Sequence, residues 1–307
     1  MQIHTQKLLD SFPVRKSRRQ KAAFRDWLTG ILTNVGYSPV VETDSVLSRN
    51  VIVGDPEQAQ VIFTAHYDTP AHLPLPNINF PRNSLFTVLA QLPLFVLLFL
   101  PPILIEGVVI YITDSPVWGL LVLYVLLIAV IYLVYAGPAN PHNVNDNTSG
   151  IATLLEIALT LPEENRSKVA FIFFDNEEKG LVGSRQFKRR QKGNLDHTLL
   201  INFDCVSDGN HICFFPSKSA AKNSELIALL QAAYLSSDCK EVQISKGKYP
   251  SDQKHFPLGV GVAALRRCPF GLYLGRIHTA RDTIFEEENI ELLRRGSLAL
   301  VTSLPPR

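Results

Sequence analysis

Cysteine is scarce in this sequence, and neither sign of charge dominates. The chain has 4 cysteines in 307 residues and no CxxC pair, which excludes a disulfide scaffold and argues against a structural zinc knuckle. Lys and Arg number 30 and Asp and Glu number 28, and this net charge of +2 gives no reason to expect a nucleic acid partner. We therefore expect a globular chain with free thiols in a reducing compartment, at Cys205, Cys213, Cys239 and Cys268.

Long uncharged runs are concentrated in a single block of the sequence. Between residues 85 and 136, 40 of 52 residues are apolar, and Glu106 and Asp114 are the only charged ones. Residues 83–105 and 115–136 each approach the roughly 20 residues with which a helix crosses a hydrocarbon core. We predict a two-helix transmembrane hairpin over residues 85–136, with the lipid bilayer as its partner. The alternative is a buried helical hairpin that covers an oligomer interface.

The prolines of this hairpin bear on the shape of its first helix, and the basic residues around it bear on its orientation in the membrane. Pro93, Pro101 and Pro102 predict a first helix that is kinked or broken. The turn at residues 106–115 contains no Lys or Arg, whereas Arg82 directly precedes the first span. Further basic residues stand upstream, at Arg15, Lys16, Arg18, Arg19 and Lys21. The positive-inside rule then places both flanks in the cytoplasm, and the first ten residues lack the apolar stretch of a cleavable signal.

The rest of the chain alternates between strand-like and helix-like patterns. Short runs rich in Val, Ile and Phe predict strands at residues 50–53, 60–65, 168–174, 198–203, 211–215 and 262–265. Apolar residues at helical spacing predict helices at residues 16–32, 149–161, 180–190, 224–236 and 286–304. This alternation is typical of an α/β fold with a mixed, largely parallel sheet and helices on both faces. We expect one discontinuous domain, residues 1–84 and 137–307, interrupted by the hairpin.

Acidic residues and histidines cluster where the predicted strands end. His66 and Asp68 follow one strand, Glu177 and Glu178 follow another, and Asp204 follows a third. Two further candidates, Asp146 and His278, stand beside a predicted helix start and in a late loop. Ligands collect at the carboxyl ends of strands in such sheets, and several anions in one cleft repel unless cations compensate them. Two His, one Glu and two Asp exceed what one tetrahedral ion needs, so we predict two metal ions with a shared carboxylate.

At these residues the chain resembles the co-catalytic di-zinc aminopeptidase family, relatives of bacterial leucyl aminopeptidase and glutamate carboxypeptidase. Six motifs match, in the family's order: His66-Tyr67-Asp68, Asp146-Asn147-Thr148-Ser149-Gly150, Glu177-Glu178 followed by Gly180, Asn202-Phe203-Asp204, Ser251-Asp252 followed by Phe256 and Gly259, and His278-Thr279 with Asp282-Thr283. Each motif is weak by itself, and together they are specific.

The resemblance implies a role for each site residue. His66 and Asp204 are expected to hold one zinc, Glu178 and His278 the other, and Asp146 to bridge both. Asp68 is expected to fix the tautomer of His66, and Glu177 to take a proton from the attacking water and pass it to the leaving amine. The implied activity is removal of N-terminal residues from peptides, with two Zn²⁺ ions per chain. Cobalt and manganese remain alternatives because ligand preferences overlap.

Two other functions remain open from the sequence. A glutaminyl-cyclase-like acyl transfer uses the same architecture, and a catalytically inactive scaffold would use the hairpin to recruit a membrane partner. The intact ligand set favours hydrolysis.

Thr283 and Glu286 form a capping-box pattern, so we leave Asp282 and Thr283 out of the predicted site. Tyr249 and Phe256 are candidates for shaping the substrate pocket. The sequence leaves the oligomeric state open.

Overall fold

A nine-stranded mixed sheet organises the described part of the chain, which in this computed structural model comprises residues 3–43, 47–235 and 241–305. The strands are β1 (Val40–Val41), β2 (Val51–Val53), β3 (Val61–His66), β4 (Val169–Phe174), β5 (Leu199–Phe203), β6 (His211–Pro216), β7 (Glu241–Ile244), β8 (Gly259–Cys268) and β9 (Gly271–Tyr273). The α-helices are α1 (Ile3–Ser11), α2 (Arg18–Asn34), α3 (Ser84–Thr113), α4 (Pro116–Ala136), α5 (Ser149–Thr160), α6 (Val182–Arg190), α7 (Ser224–Tyr234) and α8 (Glu287–Ser303). Cys239 lies outside the described residues, and the other three cysteines are free.

The centre of the sheet is parallel, β2 and β6 join it in antiparallel pairs, and the edge strand β7 pairs in parallel with β6. The strand order is β1-β2-β4-β3-β5-β8-β6-β7, with β9 paired to β8. Strand β3 pairs in parallel with both β4 and β5, and β5 pairs in parallel with β8. Because the carboxyl ends of parallel strands meet at one edge of a sheet, the loops after β3, β4 and β5 open at the same place.

Both faces of the sheet are covered, as the sequence predicts. In β3 and β4 alternate residues point to opposite faces. Phe63 and Phe171 pack in the larger core with residues of α2, α5, α7 and α8. Ile62 and Ile172 pack in a second core on the other side, with Phe187 of α6. The predicted mixed α/β fold with helices on both faces is therefore confirmed.

The predicted helices and strands differ from the observed ones mainly in the residues at which they begin and end. Strand β8 spans ten residues where four were predicted, and the short strands β1, β7 and β9 and helix α1 escaped prediction because none has a long apolar pattern. Helix α2 begins after Ser17, whose side chain forms a capping box with Gln20. Helix α8 begins only after Glu286, which makes no side-chain cap, so the Thr283–Glu286 capping box is wrong. Asp282 is instead engaged elsewhere, as described below.

Helices α3 and α4 form an antiparallel hairpin that meets the length and composition of membrane spans. They comprise 30 and 21 residues with mean hydropathy of 2.4 and 2.8, and only 6% of each apolar window is buried within the protein. The prolines predict a first helix that is kinked or broken, and α3 continues without a break through Pro93, Pro101 and Pro102, so of these two outcomes the break is wrong. It also extends through Glu106 to Thr113, since nothing in that apolar stretch ends a helix, and the connecting turn is therefore only Asp114 and Ser115.

Two basic residues that were counted toward membrane orientation lie inside the folded domain. Arg15 is fully buried, and Lys21 is buried where its Nζ contacts Asp175 Oδ1 at 2.6 Å. Arg82 is exposed beside the start of α3. The orientation argument therefore depends on Arg82 and on the absence of Lys and Arg from the distal turn.

Candidate metal centre

All seven predicted site residues converge at the carboxyl edge of the parallel strands. His66 ends β3, Asp204 follows β5, and the loop after β4 carries Glu177 and Glu178. Asp146 comes from the turn before α5 and His278 from the loop between β9 and α8, while Asp68 stands two residues beyond β3. A cavity of about 520 Å³ opens over this edge, lined by His66, Asp146, Glu177, Glu178, Asp204 and His278.

The carboxylate of Asp146 lies between the two histidines. Its Oδ1 is 3.3 Å from His66 Nε2, and its Oδ2 is 3.2 Å from His278 Nε2. On the outer sides, Asp204 Oδ1 is 3.7 Å from His66 Nε2, and Glu178 Oε2 is 3.6 Å from His278 Nε2. The potential ligand atoms therefore form two groups that share Asp146: His66, Asp146 and Asp204 in one, and Asp146, Glu178 and His278 in the other, each within 4.8 Å.

Close carboxylates shift the pKa values of the side chains in this cluster, and such a concentration of negative charge favours the binding of cations. Burial lowers the pKa of His66, but the neighbouring carboxylates of Asp146, Asp204 and Asp68 outweigh burial and raise the pKa well above its usual value. Burial, and then the charges of Asp146 and Glu177, raise the pKa of Glu178 well above its usual value. Carboxylates crowded this closely repel one another unless positive charge, from a protonated imidazole or from metal cations, compensates them. The donor set of imidazole nitrogens and carboxylate oxygens fits two zinc ions, and the shared Asp146 fits a bridging ligand.

Asp68 holds the loop that carries the two glutamates. Its Oδ1 accepts a hydrogen bond from the Glu177 N–H at 2.9 Å, and its Oδ2 accepts one from the Glu178 N–H at 3.2 Å. His66 Nδ1 lies 3.5 Å from Asp68 Oδ1, longer than an ordinary hydrogen bond. Asp68 is thus connected both to a candidate ligand and to the segment that supplies the candidate base.

Glu177 lies half-buried beside the cluster, outside the two ligand groups that contain Asp146, and one of its carboxylate oxygens is within 4.8 Å of potential ligand atoms of His66 and Glu178. Burial raises the pKa of Glu177 well above its usual value; His66 opposes this effect, and the charges of Asp252, Asp204 and Asp68 add to it. A raised pKa makes a carboxylate a better proton acceptor near neutral pH. The preceding Asn176 adopts a left-handed φ of 57°, a conformation that non-glycine residues adopt rarely and mainly at functional sites.

Asp282, which the sequence analysis leaves out of the site, contacts the loop that carries Asp146. Its side chain is buried and accepts hydrogen bonds from the backbone N–H of Asn145 at 2.7 Å and of Asp146 at 3.1 Å. Burial and the charge of Asp146 raise the pKa of Asp282 to about 8. The sequence analysis left Asp282 out of the site because the capping-box pattern gave it a local role, and that capping box is absent. Its place in the motif that begins at His278 is the signal that favours a role near the site.

Two more residues that escaped prediction fix the loop around Asp146. Asn147 accepts hydrogen bonds from the N–H of Gly150 and of Cys205, so it connects this loop to the residue after Asp204. Arg15 donates from Nε to the Tyr67 carbonyl at 2.7 Å and from Nη2 to Asn143 Oδ1 at 2.9 Å. The polar residues around Asp146 are therefore a hydrogen-bond network that fixes the loop carrying its carboxylate.

The two candidates for shaping the pocket have different positions. Tyr249 lines the cavity, and its hydroxyl donates to the Asp204 carbonyl at 3.1 Å. Phe256 lies in the second core against Phe174 and Phe187, so its assignment to the pocket is wrong. The buried Asp252 stands close to the site, and burial raises its pKa to about 7.

Solved structures with the same fold include both peptidases and cyclases. A Zn-dependent exopeptidase from Parabacteroides distasonis superposes with a TM-score of 0.63 at 16% identity, covering 98% of this chain and 96% of that one. The LapA aminopeptidase of Legionella pneumophila superposes with a TM-score of 0.60 at 15% identity, and the match covers 99% of this chain and 68% of that one. A glutaminyl cyclase from Porphyromonas gingivalis superposes with a TM-score of 0.62 at 15% identity, and the match covers 97% of this chain and 95% of that one. No curated protein sequence matches the chain significantly.

A family model assigns the chain more directly than these folds do. Residues 133–302, more than half of the sequence, match the model of peptidase family M28. The matched segment includes five of the seven site residues, and His66 and Asp68 precede it. The metal-ligand geometry, the sheet and this match agree. The chain belongs to peptidase family M28 and has the co-catalytic zinc aminopeptidase and glutaminyl cyclase-like fold of a metallopeptidase.

Proposed function

We propose that this protein is a membrane-anchored aminopeptidase that uses two zinc ions to remove N-terminal residues from peptides. The observation that carries the proposal is the placement of Asp146 between two histidines, each completed by a second carboxylate, with Glu177 beside them. His66 and Asp204 would hold one ion, Glu178 and His278 the other, and Asp146 would bridge them.

The residues of the chain perform the proton transfers in this mechanism. Bound zinc supplies Lewis acidity toward the scissile carbonyl and lowers the pKa of an attacking water. Glu177 accepts the proton of that water and later delivers it to the leaving amine, for which its raised pKa is suited. Asp68 acts through its hydrogen bonds to the glutamate loop and its proximity to His66, so it is a positioning residue.

The hairpin anchors the catalytic domain to the bilayer in this proposal. Residues 1–84 and 137–307 form one discontinuous domain, and residues 85–136 insert into the membrane. The length, hydropathy and exposure of α3 and α4 support insertion. Arg82 at the base and a distal turn without Lys or Arg support a cytoplasmic catalytic domain in this proposal.

The decisive experiment compares Glu177→Gln with a matched control, Glu163→Gln, in the purified full-length protein. Glu163 is exposed on the turn that follows α5, so its substitution leaves metal content and turnover unchanged. We expect close to two zinc ions per chain by elemental analysis in all three proteins, and chelator-sensitive cleavage of an aminoacyl reporter by the wild type and the control. Glu177→Gln retains the metal and loses turnover by at least ~100-fold. Unchanged turnover would remove Glu177 from its role.

Glutaminyl cyclisation is the second candidate, because a glutaminyl cyclase shares this fold over nearly the whole of both chains. A peptide that begins with glutamine distinguishes the two reactions. Hydrolysis releases free glutamine, whereas cyclisation retains the residue and releases ammonia. We expect the shortened peptide by mass spectrometry; an intact peptide that has lost ammonia would establish the cyclase instead.

Cysteine labelling tests the orientation. A cysteine at Asp114 lies in the distal turn, and one at Glu163 lies on the catalytic domain. In intact cells, an impermeant thiol reagent is expected to label Asp114→Cys above the parent background and to leave Glu163→Cys unlabelled until the cells are opened. The reverse pattern would invert the topology.

A further inference from the structure

A second cavity of about 410 Å³ opens from the metal centre into the hairpin. It shares five lining residues with the cavity over the metal centre: Asn77, Gln91, Tyr135, Glu178 and His278. The two spaces therefore adjoin, and the candidate ligands Glu178 and His278 lie at the boundary between them. We call the part between α3 and α4 the hairpin groove, defined by Leu94, Phe95, Leu98 and Phe99 on α3 and Ile131 and Val134 on α4.

The walls of the hairpin groove follow helical spacing. On α3 the lining residues recur three and four positions apart from Gln91 to Phe99, so they form one face of the helix. Eight residues of helix extend ~12 Å, which is the length of the groove along α3. The groove thus leads from the metal centre toward the middle of the hairpin.

The polar groups at the mouth of the groove are already engaged with one another. Gln91 Nε2 donates to Asn77 Oδ1 at 2.8 Å and to the Ile78 carbonyl at 3.3 Å. Farther along, the described lining consists of aliphatic and phenyl side chains. A peptide backbone inside the groove would leave its N–H and C=O groups without partners, which costs several kcal/mol for each group in an apolar environment. An aliphatic chain has no such groups.

We propose that the hairpin groove is a substrate subsite for an aliphatic chain, carried by the residue on either side of the bond that is cleaved. The inference rests on the proposed function, since it takes the boundary at Glu178 and His278 to be the place of cleavage. The reactive group of the substrate would lie in the cavity over the metal centre, and its chain would enter the groove between the helices. The preferred substrates are then peptides with long alkyl side chains or lipid-modified residues near the N-terminus.

A chain-length series tests this subsite. Soluble reporters carry alanine, norleucine or α-aminodecanoic acid as the first residue, and a second set places the same residues after the cleaved bond. Each buried methylene is expected to raise kcat/KM by about fourfold or less until the groove is filled. The set that shows the increase identifies which side of the bond carries the chain. A flat series in both sets would overturn the proposal.

Leu98→Trp fills the groove, and Leu100→Trp is the matched control. Leu98 lines the groove, whereas Leu100 is exposed and lies about 180° from Gln91 around α3. We expect Leu98→Trp to lower the ratio of long-chain to alanine kcat/KM by about tenfold or more, because the indole takes the place of several methylenes. Leu100→Trp keeps the wild-type ratio. An equal effect of both variants would assign the loss to the hairpin in general and refute the subsite.

A photoreactive probe gives a readout that does not need turnover. An α-aminodecanoic amide with a diazirine at the end of its chain is expected to cross-link to α3 or α4 at groove residues, and less in Leu98→Trp. Cross-links at the groove without cleavage of any reporter would refute the proposed function, and the subsite as a substrate site with it, and would show only that the groove binds an aliphatic chain. Cleavage of the alanine reporter with cross-links elsewhere would refute the subsite alone. Displacement of tightly bound phospholipid by Leu98→Trp, with a flat chain-length series, would identify a bilayer lipid as the occupant and overturn the proposal.

Discussion

The carboxylate of Asp282 should control the metal affinity of the centre without being a ligand. It accepts two backbone hydrogen bonds, from the N–H groups of Asn145 and Asp146. Asp282→Ala leaves both donors unpaired in a buried place, and an unpaired buried donor costs about 1–3 kcal/mol. With partial relaxation of the loop, we expect a loss of about 2–4 kcal/mol in the free energy of unfolding.

The same substitution should weaken metal binding, because the loop that it releases carries the bridging Asp146. Loss of a partner that orients a ligand typically reduces metal affinity or activity by about 10–100-fold. Asp282→Asn keeps one acceptor oxygen and directs an amide NH₂ toward the other N–H, so its affinity is expected to lie between those of Asp282→Ala and the wild type.

The assay is a zinc titration of the metal-free protein against a competing chelator, together with thermal unfolding in detergent. Asp196→Ala is the matched control, since Asp196 is a surface carboxylate paired with Lys188, and its loss should change stability by less than about 1 kcal/mol. Wild-type zinc affinity in Asp282→Ala, whatever happens to its melting temperature, would refute the reasoning. Equal losses in the control would show that the effect is not specific to the loop.

Three further predictions concern stability. Lys21→Met removes the partner of the buried Asp175 and should cost about 3–5 kcal/mol in denaturant unfolding, and a loss below 1 kcal/mol would contradict it. Gly183→Ala places a Cβ 2.3 Å from the Asp175 carbonyl oxygen and should lower the melting temperature, whereas Gly30→Ala, in open space within α2, should raise stability by about 1 kcal/mol. Burial, followed by the neighbouring cations, lowers the pKa of His255 from 6.5 to about 4, so the folded state binds its proton less tightly. Stability should therefore fall as pH drops from 6.5 toward 4, and His255→Gln should flatten part of this slope in thermal scans of the metal-free protein; an unchanged slope would exclude His255.

Local chemistry sufficed to predict the candidate ligands. Carboxylates and imidazoles after apolar strands are recognisable one segment at a time, and parallel strands bring their ends together, so His66, Glu178 and Asp204 follow from the sequence. The hairpin helices follow from length and hydropathy alone. The continuity of α3 through Pro101 and Pro102 could not be predicted in this way. Prolines that break a helix in water are tolerated where packing in apolar surroundings satisfies the backbone.

What the tertiary structure alone decided is which residues hold the site together and where its cavity leads. Asp282 has a plausible local partner in the sequence, and only the fold shows that its carboxylate binds the backbone of a loop 136 residues away. Phe256 stands beside a motif but packs in a core that forms from α6 and the far face of the sheet. The hairpin groove likewise exists only because α3 and α4 lie side by side over Glu178 and His278. Sequence patterns report what each segment can bind or bury, whereas contacts between distant segments depend on how their surfaces pack, and packing is a property of the whole chain.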